Sequence, residues 1–249
     1  YPGLDANDRI FLWGGGIWDW LDPLTPIRAI ARLAPEHPEI KLVFLSGRSP
    51  NPNTPAMAMS RRARELASEL GVLGRNVIFY EHWVPYAERG SLLLEADAGI
   101  SSHLHQLETR FSFRTRVLDY LWAGMPIIST TGDSMADLIS AEGLGLTCGY
   151  ENVTDWEQAF LALATDSAFR SACVDRIVRI RPNYHWEQAV APLRAYLAAP
   201  SHPPQAAAPS PWVLKEPFLS LAKAFSALEQ EGWGGLQQRV ARRLARHAR

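Results

Sequence analysis

The stretch FSFRTRVLDYLWAGMPII, from Phe111 to Ile128, decides the fold of this chain. Its apolar spacing predicts a helix that ends at Gly124, and Pro126 prevents that helix from continuing. Ile127-Ile128 then begins a buried strand. A helix that leads directly into a strand in this way is typical of parallel α/β sheets.

Within this stretch we place the helix N-cap at Ser112, and we expect a buried stripe at helical spacing, formed by Phe113, Val117, Tyr120 and Leu121. Arg116 and Asp119 lie three residues apart and share one face near the helix start. Two interpretations are open. The two residues form an ordinary intrahelical ion pair, which the pattern alone slightly favours, or Arg116 binds a phosphate while Asp119 accepts two ribose hydroxyls.

Strands and helices alternate along the rest of the chain. The predicted strands are Arg9–Trp13, Ile40–Leu45, Asn76–Tyr80, Ala98–Ser101, one beginning at Ile127, and Gly145–Cys148. The predicted helices cover residues 23–33, 56–70, 85–96, 112–123, 133–139, 155–163, 167–178 and 186–197. This alternation predicts an α/β fold with βαβ units and a Rossmann-like, doubly wound parallel sheet.

Loops that follow the predicted strands meet at the edge of such a sheet where ligands bind. Gly14-Gly15-Gly16 follows the first strand, and glycines there let backbone N–H groups approach a pyrophosphate. The triplet matches neither dinucleotide nor P-loop signatures, so a plain tight turn explains it about as well. His103 and His105 lie at the same edge. Because no cluster with metal-ligand spacing accompanies them, we expect a phosphate or sugar contact and no metal.

Composition narrows the class of protein. The chain has 249 residues, 47% of them hydrophobic, which suits a globular core. Its net charge of -1 argues against a general nucleic-acid-binding protein. Cys148 and Cys173 form no disulfide framework, so a reducing cytoplasm is the simplest compartment. No apolar run approaches the roughly 18 to 20 residues that span a membrane.

Three segments are predicted: residues 1–198 form the Rossmann-like domain, residues 199–215 a Pro/Ala-rich linker, and residues 216–249 an amphipathic helical tail. The tail is basic from Arg239 to Arg249. One interpretation is that the tail lies peripherally on the inner, anionic face of a membrane. The other, which is slightly favoured, is that it is a solvated helix or contacts the missing domain. The chain opens at Tyr1 without an initiator methionine, and we expect it to be a piece of a longer protein.

The segment RVLDYLWAGMPII, residues 116–128, resembles the [K/R]-x-x-[E/D]-Y-x-x-x-G-x-P-[VI]-[VI] segment of retaining glycosyltransferases with the GT-B fold, in family four, group 1. Residues 82–86 (HWVPY) with 95–100 (EADAGI) are similar to a second stretch of that family. Gly132-Asp133, with residues 136–139 (ADLI) and 143–145 (GLG), resembles the later part of the family sequence. The resemblance covers roughly residues 8–198 and rests on the motifs as a set.

The resemblance implies the C-terminal, nucleotide-sugar-binding domain of a two-domain enzyme whose N-terminal acceptor-binding domain is missing here. Asp119 matches the family glutamate that holds the donor ribose, and Arg116 matches the cation near the phosphates. The loop from Tyr80 to Val84 matches the region that flanks the base, where Trp83 or His82 would stack, and a Trp83 buried in the core is an equal alternative. No metal cofactor is implied. The residues expected to bind the donor are Gly15, Gly16, Arg48, Trp83, Arg114, Arg116 and Asp119.

The sequence departs from the family pattern in three places. Phe111 stands where the family often has a further acid, and Glu108 is the nearest substitute. The family's Arg and Lys after the first strand are replaced by Ile17-Trp18-Asp19-Trp20, so that Arg48, Arg110 or Arg114 would supply the missing charge. Asp119 is one methylene shorter than the usual glutamate, which requires a closer helix or a bridging water.

We therefore expect the donor half of a glycosyltransferase that transfers a sugar with retention to a glycan or glycolipid acceptor, in cytoplasmic polysaccharide biosynthesis. The fragment alone is expected to bind nucleotide weakly and to transfer nothing. Two alternatives stay open: a sugar-nucleotide epimerase of the same fold, and a degenerate transferase domain that serves as a non-enzymatic scaffold. An NAD-dependent oxidoreductase is less favoured because the glycine fingerprint is absent.

Overall fold

A computed structural model describes residues 4–45, 51 and 57–200 of the chain. Its strands are β1 (Arg9–Trp13), β2 (Ile40–Phe44), β3 (Val77–Phe79), β4 (Ala98–Ser101), β5 (Ile127–Thr130) and β6 (Gly145–Cys148). All neighbouring strands are parallel, in the order β3-β2-β1-β4-β5-β6. This is the doubly wound strand order, so the predicted Rossmann-like fold is confirmed.

The helices are α1 (Leu24–Leu33), α2 (Ala58–Glu69), α3 (Tyr86–Leu94), α4 (Leu107–Phe111), α5 (Arg116–Ala123), α6 (Ser134–Glu142), α7 (Val153–Thr165), α8 (Ser167–Ile180), α9 (Trp186–Ala189) and α10 (Ala191–Ala198), with a 3-10 turn at Arg181–Tyr184. Over the described ranges, no helix combines the length and the apolar character that crossing a membrane requires.

Helices cover both faces of the sheet and create two apolar clusters. On β1, Phe11 and Trp13 join the cluster that contains Phe160 of α7, whereas Leu12 joins the cluster that contains Tyr120 of α5. Successive side chains of a strand point to opposite faces, and here both faces are buried. This explains why β1 reads as an unbroken apolar run in the sequence.

The predicted helix start at Ser112 was wrong. Ser112 has extended backbone after the end of α4, and α5 begins at Arg116 with Thr115 as its N-cap residue. Phe113, which was predicted to be buried, is 54% exposed. The reason is Arg114, whose buried guanidinium bonds to carboxylates and occupies the inward position at this break. The rest of the predicted stripe is buried, and Gly124 ends α5 in the left-handed conformation, with φ of 74°.

The predicted helix over residues 186–197 is divided into α9 and α10. Pro192 explains the break, because it has no N–H to donate to the carbonyl one turn earlier. The contacts divide the chain into two units, with the boundary between Ala191 and Pro192. Apart from residues 199 and 200, the predicted linker and tail lie outside the described residues, as does Arg48.

Candidate functional site

The glycine turn at residues 14–16 is attached to α5 by a buried tyrosine. The Gly14 N–H donates to the Tyr120 hydroxyl at 2.9 Å. That hydroxyl lies 3.1 Å from the Leu12 carbonyl oxygen and 2.9 Å from that of Ile100, and it can donate to one of them at a time. Tyr120 therefore joins the carboxyl ends of β1 and β4 to the helix that carries the predicted ligand residues.

Arg116 lies against the same turn. Its guanidinium carbon is 4.8 Å from the centre of the Trp13 ring, a cation–π contact. Nη2 makes a long contact of 3.5 Å with the Gly16 carbonyl oxygen, which also accepts from the Trp13 indole N–H at 3.3 Å. Nη1 is buried and meets no acceptor among the described residues. Arg116 is therefore a half-buried cation whose buried Nη1 has no acceptor in the described part of the chain and is available to an anion.

The electrostatics of Arg116 support the same conclusion. Burial lowers the pKa of its guanidinium, and the neighbouring cations Arg114 and Arg89 lower that pKa as well. The group stays protonated at neutral pH, because arginine never loses its proton in this range. An anion beside it would relieve both the desolvation and the repulsion, so this position favours a negatively charged ligand.

Asp119 does not pair with Arg116 in the described structure. Its Oδ2 instead accepts a hydrogen bond of 2.6 Å from Nη2 of Arg89 on α3, and the same Nη2 donates to the Gly14 carbonyl oxygen at 2.7 Å. The local ion-pair interpretation is therefore replaced by a contact across 30 residues. Sequence reasoning missed Arg89. Its one signal is its position early in a helix that begins at the ligand edge of the sheet.

The other predicted donor residues are distributed along this edge. A Cβ atom built on Gly15 would meet no atom of the described residues within 4 Å, so none of them closes over the turn at this position. Trp83 is 56% exposed in the loop after β3, two strands away from β1. The structure thus brings together Gly15, Gly16, Arg116 and Asp119. Arg48 lies outside the described residues.

Solved structures share this architecture. The fold is that of a GT-B glycosyltransferase domain. WaaG, a glycosyltransferase involved in lipopolysaccharide biosynthesis, superposes with a TM-score of 0.60 at 18% identity, over 80% of this chain and 49% of its own. The C-terminal domain of LpcC, a glycosyl transferase group 1 family protein from Francisella tularensis, has a TM-score of 0.60 at 14% identity, over 74% of this chain and 89% of its own.

HepE from Anabaena, in complex with UDP and glucose, has a TM-score of 0.61 at 10% identity, over 78% of this chain and 48% of its own. The chain thus spans about half the length of WaaG and HepE. At these identities the likeness concerns the fold. No protein-family model and no curated protein matches the sequence.

Arg114 differs from Arg116 because its guanidinium is already engaged. It donates to both carboxylate oxygens of Glu108, at 3.0 and 2.9 Å, and to Asp133 at 3.1 Å. Burial raises the pKa of Glu108, but hydrogen bonds from Arg114 and Ser112 outweigh it, and that pKa is lowered. The cluster fixes the start of α6, since Asp133 also accepts from two N–H groups of its first turn. Arg114 thus positions this rim.

His103 lies beneath that cluster and is fully buried. Its Nε2 is 3.3 Å from the Thr131 carbonyl oxygen, while Nδ1 has no partner among the described residues. Burial lowers the pKa of the imidazole, and Arg114 lowers it further, so His103 is neutral at pH 7. In the described part of the chain, no three His, Cys, Asp or Glu side chains are arranged to hold a metal ion.

This buried histidine predicts a loss of stability in mild acid. The unfolded chain takes up a proton on His103 below pH of about 6.5, whereas the folded protein resists it, so the unfolded state binds more protons. The free energy of unfolding should therefore fall with decreasing pH below that value, by at most about 1.4 kcal/mol per pH unit from this group. Urea unfolding at pH 7.5 and 5.5 measures this change in the free energy of unfolding. His103→Gln should flatten the pH dependence, and an unchanged slope would contradict the assignment.

Proposed function

We propose that this chain is the donor-binding half of a retaining glycosyltransferase of family four, group 1, and that it binds a nucleoside diphosphate sugar. The observation that carries the proposal is Arg116, a half-buried guanidinium beside a glycine turn at the ligand edge of the sheet, whose Nη1 meets no acceptor among the residues that the structure describes. Crystal structures of HepE with UDP and with UDP-glucose support this ligand class, and the match to a C-terminal domain supports the placement in that half.

Each residue has a distinct part in the proposed site. Arg116 and the backbone of Gly15 and Gly16 bind the diphosphate, where negative charge grows as the bond to the sugar breaks. Asp119 accepts from the ribose, and Trp83 flanks the base. Stabilisation of the departing diphosphate by fixed donors needs no metal ion, so we propose a metal-independent site.

The transferred sugar would reach a glycan or glycolipid acceptor bound by a second, N-terminal domain. WaaG, which shares the fold, takes part in lipopolysaccharide biosynthesis, and a role in cytoplasmic polysaccharide biosynthesis is proposed on that ground. This chain alone should then transfer no sugar. Contact of the basic tail with the inner face of a membrane remains part of the proposal, beside the alternative of a solvated helix.

A scaffold without catalytic activity is the second candidate function. It is favoured by Phe111, an exposed apolar side chain at the position where the family often has an acid, and by the engagement of Glu108 with Arg114. Such a domain would keep the fold and lose the donor. Binding of nucleotide separates the two functions.

The decisive experiment is a thermal-shift titration with UDP, GDP, ADP and dTDP, on the wild type and on Asp119→Ala. A ligand at about 100 times its dissociation constant should stabilise the fold by roughly 2.7 kcal/mol. One nucleotide should raise the melting temperature of the wild type, and the shift should be reduced in Asp119→Ala. If no nucleotide shifts this chain or any longer natural form of the protein, the scaffold is the better description.

A further inference from the structure

We infer that Arg89 is a positioning residue that fixes the Asp119 carboxylate for the ribose of the donor. The inference rests on the proposed function and extends it to a residue on a different helix. The observation behind the inference is that a single nitrogen, Nη2 of Arg89, donates to two groups. It lies 2.6 Å from Asp119 Oδ2 and 2.7 Å from the Gly14 carbonyl oxygen. This bridge joins α3, α5 and the glycine turn.

The packing of α3 against α5 allows the bridge to form. Gly90 follows Arg89 and lies against the Trp122 ring of α5, where an added Cβ atom would come within 3.3 Å of a ring carbon. A larger residue at position 90 would require the Trp122 ring to shift by a few tenths of an ångström. The approach of α3 thus brings a guanidinium within reach of a carboxylate on the neighbouring helix.

The Asp119 carboxylate needs to be positioned because its side chain is short and must lie within hydrogen-bond distance of the ribose hydroxyls. Asp119 is half-exposed, and without a partner its carboxylate would rotate freely. Arg89 holds Oδ2 and leaves Oδ1 to accept from the ribose.

This role predicts a selective defect. Loss of Arg89 should weaken the part of the affinity that depends on the ribose hydroxyls and leave the part that depends on the phosphates. The ratio of affinities for a ribonucleoside diphosphate and its 2′,3′-dideoxy analogue reports the hydroxyl-dependent part. Inorganic pyrophosphate reports the phosphate-dependent part.

The experiment measures these three affinities, for UDP, GDP and ADP with their dideoxy forms, on five proteins: wild type, Arg89→Met, Arg89→Lys, Asp119→Ala and the Arg89→Met/Asp119→Ala double variant. We expect the wild type to prefer the ribose form by roughly tenfold, as loss of one charged hydrogen bond implies. In Arg89→Met the ratio should approach one, and Arg89→Lys should retain part of it. The double variant should lose little more of the preference for the ribose form than either single variant loses, because the two residues act together.

The matched control is Arg9→Met, which removes another Arg–Asp pair at the opposite end of β1, where Arg9 Nη1 lies 3.2 Å from Asp97 Oδ1. It should leave the ratio unchanged. If the Arg89→Met variant has a lowered melting temperature, Arg89→Gln replaces it.

An unchanged ratio in the Arg89 variants would overturn the inference and leave the proposed function intact, whether the two affinities stay at their wild-type values or both fall by the same factor. A wild type that binds no nucleotide would overturn the inference together with the proposed function.

Discussion

Replacing Arg116 with methionine is expected to lower the affinity for a nucleoside diphosphate by roughly 10- to 100-fold. A hydrogen bond to a charged group contributes about 1.5–3 kcal/mol, and a difference of 1.4 kcal/mol is a factor of ten in the dissociation constant. Methionine keeps the apolar contact with Trp13 and removes the charge. Isothermal titration calorimetry with the nucleotide identified by thermal shift measures the change.

The same variant should leave the fold as stable as before or make it more stable. The guanidinium is half-buried and has no carboxylate partner among the described residues, so its removal leaves no charge unpaired. Arg61→Met is the control, since it removes one positive charge from an exposed ion pair with Glu65. An affinity that is equal in Arg116→Met and Arg61→Met would refute the assignment of Arg116 to the diphosphate.

Substitution of Gly99 by alanine is expected to cause the largest loss of stability, about 3 kcal/mol, at the upper end of the range for overpacked cores. An added Cβ atom would lie 2.4 Å from two carbons of the Tyr120 ring, well inside the contact distance. The ring cannot withdraw, because it is fully buried and its hydroxyl bonds to backbone groups of β1 and β4. Urea unfolding followed by circular dichroism measures the effect.

Gly15→Ala is the matched control for Gly99→Ala. Gly15 lies in the turn after β1, the strand that pairs with β4, and its added Cβ atom would meet no atom of the described residues within 4 Å. The control should unfold at nearly the urea concentration of the wild type. If Gly99→Ala does the same, the close packing of Tyr120 on β4 does not limit the stability of the sheet.

The order and type of the elements could be predicted because each element carries its own signal. β1, β2 and β4 are short apolar runs buried on both faces, and Gly124 with Pro126 marks the end of α5 without any tertiary information. β5 extends further than its apolar onset, to Thr130, because polar residues of this strand are buried and hydrogen-bonded. Side-chain periodicity does not reveal such a polar extension.

The sequence-based predictions were wrong or incomplete where contacts between residues far apart in the sequence determine the local structure. Arg114 looks like a surface residue of a continuous helix, and only its bonds to Glu108 and Asp133 place it in the interior and interrupt the helix. Apart from its position early in α3, Arg89 carries no local sign of its role, since both acceptors of its Nη2 lie far from it in the sequence. Arg116 and Asp119, in contrast, could be selected from one motif, although their partners could not.

The Tyr120 hydroxyl also limits how the ligand edge can move. The Gly14 amide donates to the hydroxyl of Tyr120, whose ring is packed in the core, so the turn cannot open alone. Exchange of the Gly14 amide hydrogen with solvent deuterium therefore requires β1, β4 and α5 to separate. The Gly14 amide should therefore exchange as slowly as the amides of the central strands. A binding edge that is already ordered loses little conformational entropy when it receives a ligand.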